Sequence, residues 1–354
     1  MIRALVTTIL AIASIYIFLT TMAQAHPARV IVVDLKGQVY FSDLKTVWKI
    51  DAQGKLSAFR AGGHTHELNI DQAGNVYGEH DFSVIWKMTP DGVFSYIQAP
   101  TDNRPRGASI WRDRDGNMYS KEQNNHLKRE TLLLKRTPSG SVSVLAGSSY
   151  GHADGRGRQA KFSNIGGMTF GANGSLYLVD SSSIRMVKMD GTVTTLARKI
   201  TVENASGNPP EGSSLFGIAV DPQGNAFVAD YSNRRILKIA PDGQMSTPIR
   251  AEESWFPTGV AERSSELYIL EESHTPAFQP IGTRVRKLSS DGKVSTLATV
   301  GEDTNPPART THVSTNVESV AEPKGFASYW LIGLCASVFL GSGVVWRIRK
   351  STVK

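Results

Sequence analysis

One two-part phrase recurs six times along this 354-residue chain, and it constrains the fold more than any other feature. Its first part is a small turn and a strand that ends, in most copies, on an acid. The copies are GQVYFSD (37–43), GNVYGEH (74–80), GNMYSKE (116–122), GSLYLVD (174–180), GNAFVAD (224–230) and ELYILE (266–271). Its second part is a strand with a lysine, then a turn: VWKIDAQG (47–54), IWKMTPDG (85–92), LLKRTPSG (133–140), MVKMDG (186–191), ILKIAPDG (236–243) and RKLSSDG (286–292). Short apolar runs such as FGIAVD (216–221) precede most first parts, and runs such as TVTTLA (192–197) follow most second parts. Each unit therefore holds four short strands separated by G-N, D-G or S-G turn signals. The spacing of roughly 37 to 58 residues lies in the range of propellers and solenoids. One four-stranded sheet cannot cover its own two faces, whereas a radial array lets each sheet cover its neighbour. The sequence predicts an all-β, six-bladed β-propeller of four-stranded blades over residues 26–299.

The pattern G-I-A-V-D-x-x-G-N-x-(F/Y)-V-A-D-x-x-N-x-R-I-x-K-I resembles NHL repeats. The fifth unit matches it almost throughout and the fourth matches well, with the lead-in GHADGRGRQAKFSNIGG (151–167) similar to inserts before some NHL blades. The other four match loosely. The resemblance implies a fold and little about function, because propellers carry many unrelated activities. Six-bladed relatives of this kind include lactonases of the gluconolactonase type, strictosidine synthase-like proteins and peptide-amidating lyases, whose sites lie at the mouth of the central channel. No catalytic set of theirs maps residue by residue onto this chain.

The ends predict export and anchoring. Residues 1–25 combine Arg3, a long apolar core and Ala23-Gln24-Ala25, the form of a signal peptide cleaved after Ala25; an uncleaved anchor is the alternative. Residues 325–346 contain no charge, and 22 residues suffice for a transmembrane helix. A buried helix or a processed sorting signal are the other readings. The basic tail 347–354 predicts a cytoplasmic C-terminus and a propeller outside the cytoplasm, periplasmic or at the cell surface. Residues 300–324, rich in Thr, Ser and Pro, read as a flexible linker. The net charge of +7 is mostly topology: without Arg3 and the four tail cations it is +2. No Lys/Arg stripe points to nucleic acid. The single cysteine, Cys335, lies in the predicted span, so the exported domain has no thiol chemistry and no disulfide.

Comparing the copies separates scaffold from candidate site. Lys49, Lys87, Lys135, Lys188, Lys238 and Lys287 occupy matching places in all six units and read as structural, with stems packed and ammonium groups in water. The strand-ending acids Asp43, Glu122, Asp180, Asp230 and Glu271 read as caps on following backbone N–H groups. The second unit departs twice. It carries His80 after Glu79 where the others have an acid, and Glu67, beside His64 and His66, where the last three have Gly167, Gly217 and Gly259. Strand alternation places both departures on one face, with His126, His152 and His274. Long loops on that face hold Arg104, Arg106, Glu122, His126 and His274, a set suited to binding. The short turns of the opposite face read as connections.

Two functions follow. The first is a membrane-anchored binding module that presents this loop-rich face to a protein, peptide or carbohydrate. The second is a metal-dependent hydrolase or lyase, with His64, His66 and His80 holding zinc or a similar divalent metal and Glu67 or Glu79 as base.

Overall fold

The computed structural model describes residues 30–301, apart from 63, 72, 81–83, 100–104, 125–129, 204–213 and 275–279. The predicted leader, the linker beyond residue 301, the predicted span and the tail lie outside the described residues. Among the described residues no helix is long and apolar enough to cross a membrane.

Six antiparallel sheets form the blades. They comprise β1–β4 (Ile31–Val33, Val39–Ser42, Thr46–Ile50, Leu56–Ala61) and β5–β8 (Thr65–Ile70, Val76–His80, Val84–Met88, Phe94–Gln98). The third blade is β9–β12 (Trp111–Arg112, Met118–Asn124, Glu130–Arg136, Val142–Ala146). The fourth is β14–β17 (Ile165–Phe170, Leu176–Asp180, Ser183–Val187, Thr192–Ala197), with a short fifth strand β13 (Gly155–Arg156) that the insert adds beside β17. The last two are β18–β21 (Leu215–Val220, Ala226–Asp230, Arg235–Ile239, Met245–Arg250) and β22–β25 (Trp255–Arg263, Glu266–His274, Pro280–Leu288, Val294–Gly301). Strands a to d of each blade run outward from the axis. The expected propeller is what the chain forms, and its last strand continues to Gly301, two residues past the predicted boundary, because Gly282 still pairs with Gly301.

Each blade contains all four of its own strands, so no strand is shared between the ends of the ring. Closure comes from side chains: Ile31, Phe41 and Ile50 of blade one share a core with Ala261, Tyr268 and Leu270 of blade six. Similar cores lie between the other neighbours, as where Tyr40 of blade one packs with Leu68 and Trp86 of blade two.

A repeated turn sets where each innermost strand ends. Asp71 accepts the N–H groups of Ala73 and Asn75, the Asn75 amide and the Tyr77 hydroxyl at 2.7–3.0 Å. Asp113 receives the equivalent four bonds from Asp115, Asn117 and Tyr119. Asp34 and Asp221 make shorter versions. Those donors hold the Asp71 and Asp113 carboxyls below the usual range, against burial that pushes them up. In blade six, where the turn has only Ser264 and Ser265, both take positive φ (54° and 62°), the geometry of a two-residue type I′ hairpin.

The lysine pattern holds in five blades and fails in one. Lys49, Lys87, Lys135, Lys238 and Lys287 stand opposite Tyr40, Tyr77, Tyr119, Phe227 and Tyr268 on the neighbouring strand. In four of these pairs the ammonium lies 5.6–5.9 Å from the ring centroid, a cation–π contact that leaves the head wet. Lys188 is not equivalent. The b–c hairpin of blade four is two residues shorter than that of blade five, which puts Met186 opposite Tyr177 and moves Lys188 into the c–d turn, where its N–H bonds Thr192 O.

The strand-ending acids also divide. Asp43 caps Lys45 and Thr46 N–H as expected, and its other oxygen accepts Trp48 Nε1 at 2.8 Å. In blades four to six the acid also meets a buried arginine from strand c: Arg185 with Asp180 (2.7 Å), Arg235 with Asp230 (2.8 Å), and Arg284 and Arg286 with Glu271, while Asp230 still caps Asn233 N–H. Glu122 pairs with Arg106.

Blade two solves the same place with an aromatic ring. Trp86, fully buried, occupies the strand position that Arg185 and Arg286 hold elsewhere, and it stands directly opposite Gly78. A Cβ on Gly78 would lie 2.0 Å from Trp86 Cζ2. Gly78→Ala should therefore lower the urea-unfolding free energy by about 1–3 kcal/mol or more, through overpacking. An unchanged midpoint would show that the ring has room to move.

Candidate functional site

The two departures of blade two meet as expected. Glu67 on β5 is paired directly with Glu79 on β6, and Thr65 with His80. The register shifts between Thr65 and Glu67, so His66 is the extra residue of a bulge, a common device for re-aiming a side chain. Glu79 is buried, at a place where the last three blades have Val179, Ala229 and Leu270.

A divalent metal was the chemistry expected of this cluster. The His64 and His66 rings are stacked, 4.4 Å between centroids and 27° between planes. Ring nitrogens bind a metal through lone pairs in the ring plane at ~2.0–2.1 Å. Planes that nearly parallel do not meet within that reach, so the two imidazoles as arranged do not share one ion. Among the described residues no group of three His, Cys, Asp or Glu side chains could hold a metal ion.

The other predicted binding residues separate into groups. Arg106 and Glu122 pair with each other at 2.6 Å, with Arg106 60% exposed; an exposed pair of this kind contributes little to stability. Arg104 and His126 lie outside the described residues. His152 belongs to the scaffold: it stands 3.5 Å from Asp180 and beside Arg185 and Thr195.

His274 has different surroundings. It ends β23, its side chain is only 12% exposed, and both ring nitrogens are buried without a hydrogen-bond partner among the described residues. Phe256 and Tyr231 lie 5.8 and 6.3 Å from it, centroid to centroid, and are themselves stacked at 4.8 Å. Phe216 meets Tyr231 edge-on at 5.2 Å. The buried Glu272 carboxylate stands 3.7 Å from Nε2. Burial pushes the imidazole down, which favours a neutral ring, and burial with the nearby Glu272 pushes the Tyr231 hydroxyl up. The aromatic members were not picked out in the sequence. Their signal was present, since Phe216 and Phe256 both sit near the start of an innermost strand.

The opposite face differs from expectation. The large central cavity, about 1010 Å³, runs along the innermost strands, and at one end it is rimmed by the a–b turns, including Asp71, Asp113 and Gly174. These turns, read from the sequence as connections, frame its mouth.

The chain is thus a six-bladed β-propeller with a polar and aromatic b–c face and an axial cavity. No protein-family model matches the sequence, and no curated protein matches it. Solved structures with a similar fold include virginiamycin B lyase from Staphylococcus aureus, at 15% identity and a TM-score of 0.46, covering 77% of this chain and 85% of that one. A gluconolactonase from Xanthomonas campestris matches at 15% identity and a TM-score of 0.46, covering 70% and 83%. A luciferin-regenerating enzyme matches at 16% identity and 0.48, covering 79% and 95%. At these identities the likeness is one of fold.

A neutral buried His274 carries a pH signature. Its folded pKa lies below the unfolded value of about 6.5, so its contribution to stability is complete above that value and is lost as pH falls through the folded pKa. On going from pH 8 to pH 5, wild type should lose more unfolding free energy than His274→Gln. Parallel pH profiles for the two proteins would contradict the buried, neutral ring.

Proposed function

We propose that this protein is a membrane-anchored, extracytoplasmic binding module whose b–c face captures a peptide or carbohydrate. The observation that carries this reading is the cluster of His274, Tyr231, Phe256 and Phe216. Aromatic faces offer a stacking surface for a sugar ring or an apolar side chain. The two unspent nitrogens of His274 offer one donor and one acceptor to a hydroxyl or amide. A buried polar atom left unpaired costs stability, so a ligand that satisfies it regains that cost. The anchor rests on the apolar run 325–346 and the basic tail.

The experiment is a screen of the full chain in detergent against glycan and peptide arrays, repeated with His274→Ala and Tyr231→Ala. Capture should fall at least about tenfold in each variant, the scale of one lost buried polar or aromatic contact, with little change in Tm. Capture unaffected by both variants would reject this face as the binding site.

A hydrolase or lyase is the second reading, and the cross-strand Glu67–Glu79 pair favours it. Two carboxylic side chains on directly opposed strand positions bring acid–base groups to one place, as general acid or base catalysis requires. Turnover of lactone or ester substrates that is lost in both Glu67→Gln and Glu79→Gln would establish it, and the absence of turnover would leave the binding role. Metal analysis of the same protein should find no stoichiometric zinc. One metal per chain, lost in His64→Ala/His66→Ala/His80→Ala, would restore the metal-dependent form.

A further inference from the structure

The sixfold repeat permits one more comparison, at the end of the innermost strands where the axial cavity opens between the a–b turns. The strand-a residue opposite the one that precedes the strand-b aromatic is Val33 in blade one, Ile70 in blade two, Arg112 in blade three, Phe170 in blade four, Val220 in blade five and Glu262 in blade six. All six line the cavity. In the four apolar cases this residue packs on the strand-b aromatic of the preceding blade, as Ile70 does with Tyr40 and Phe170 with Tyr119. Arg112 makes the equivalent contact, its guanidinium over Tyr77, so packing accounts for the apolar residues and for Arg112 and does not account for a carboxylate at Glu262. The two exceptions are of opposite sign, and blades three and six stand across the ring from one another.

Both charges keep unspent capacity. Arg112 lies over the Tyr77 ring at 5.3 Å, and its Nε is buried without a hydrogen-bond partner among the described residues. Glu262 accepts the Ser265 N–H at 2.9 Å through one oxygen. Burial pushes the Glu262 carboxyl up, and Asp221 adds to that, against the opposing pull of Ser265 and Arg263. A cation arriving there would relieve a carboxylate that its surroundings disfavour. The other acids of this end are already used or exposed: Asp71 and Asp113 are saturated by their turns, and Asp115 lies out on its turn beside Arg114.

We infer that the a–b end of the axial cavity is a second binding site, distinct from the b–c face, and that it takes a short zwitterionic peptide. The peptide carboxylate would meet the Arg112 guanidinium, a planar donor suited to bidentate pairing. Its ammonium would meet Glu262, and its side chains would lie against the apolar members of the ring. A cavity of about 1010 Å³ is at the upper end of the usual range for small-ligand pockets. This site stands independently of the reading given for His274.

The test is calorimetric titration of the full chain in detergent with di-, tri- and tetra-alanine, and with N-acetylated and C-amidated forms of the tightest binder. Blocking either terminus should weaken binding at least about tenfold, the scale of one charge-assisted hydrogen bond. Arg112→Gln should lose the same affinity and become indifferent to C-amidation. Glu262→Gln, which keeps an acceptor for Ser265, should become indifferent to N-acetylation. The exchanged pair Arg112→Glu/Glu262→Arg should recover binding with the peptide reversed, which a merely structural role for either residue would not produce. No binding of any of the three peptides at millimolar concentration would overturn the proposal, as would full affinity in both single variants.

Discussion

The aspartate that ends the innermost strand supports most of what the ring can do. Its carboxylate collects donors that would otherwise be unsatisfied at a reversal of the chain: two backbone N–H groups, a side-chain amide and, in blades two and three, a tyrosine hydroxyl. Each such bond is worth only about 1 kcal/mol net, but leaving a buried partner unmet costs about 1–3 kcal/mol. In blades two and three it holds the tyrosine on which the next blade's strand a packs, and in blade two the strand-c lysine also lies over that ring. One turn thus fixes the end of a strand, the pose of an aromatic ring and the spacing between neighbouring blades.

On the other face the ring uses two different solutions in its two halves. Blades four to six bury arginine against the acid at the end of strand b, and neighbouring groups take up further donors, although Arg185 Nε and Arg284 Nη2 are buried without a partner among the described residues. Arg185 bonds Asp180, Asp154 and the carbonyls of Ala153 and Lys161. Removing one member of such a pair would strand a charge in the interior. Blades one and two place Trp48 and Trp86 at the corresponding strand position. Trp48 still serves the acid through its indole N–H, whereas Trp86 fills the space that Gly78 vacates. With no arginine to neutralise there, blade two is free to carry His80 instead of an acid.

Most of the fold was legible because it depends on local signals that recur: turn glycines, alternating apolar residues and the aromatic–lysine pairs. Lys188 shows where that reading fails. Matching by the nearest lysine aligned it with the others, but a hairpin two residues shorter put Met186 at the aromatic contact. Register is a property of the pair of strands, and one strand alone does not display it. The acids were recognised as structural, yet their arginine partners were not, because the partner lies five to fifteen residues away across a loop whose length differs between blades. The convergence of Glu67 and Glu79 was foreseen from strand direction alone. The stacking of His64 on His66 was not, since it depends on the bulge at His66.

The two ends of the axis also differ in what repetition can hide. At the b–c end the candidate residues lie in loops of unequal length, so each looks individual and attracts attention. At the a–b end the turns are nearly uniform, and uniformity was taken for absence of function. The charges at Arg112 and Glu262 occupy ordinary strand positions, visible only when the same register position is compared around the whole ring. A closed ring adds a constraint that an open sheet lacks. Blades three and six cannot approach each other without breaking the packing of every blade between them. Opposite charges placed there are kept from collapsing into a salt bridge, and the field between them is fixed before any ligand arrives, so little of a ligand's binding energy need be spent on reorganising the site.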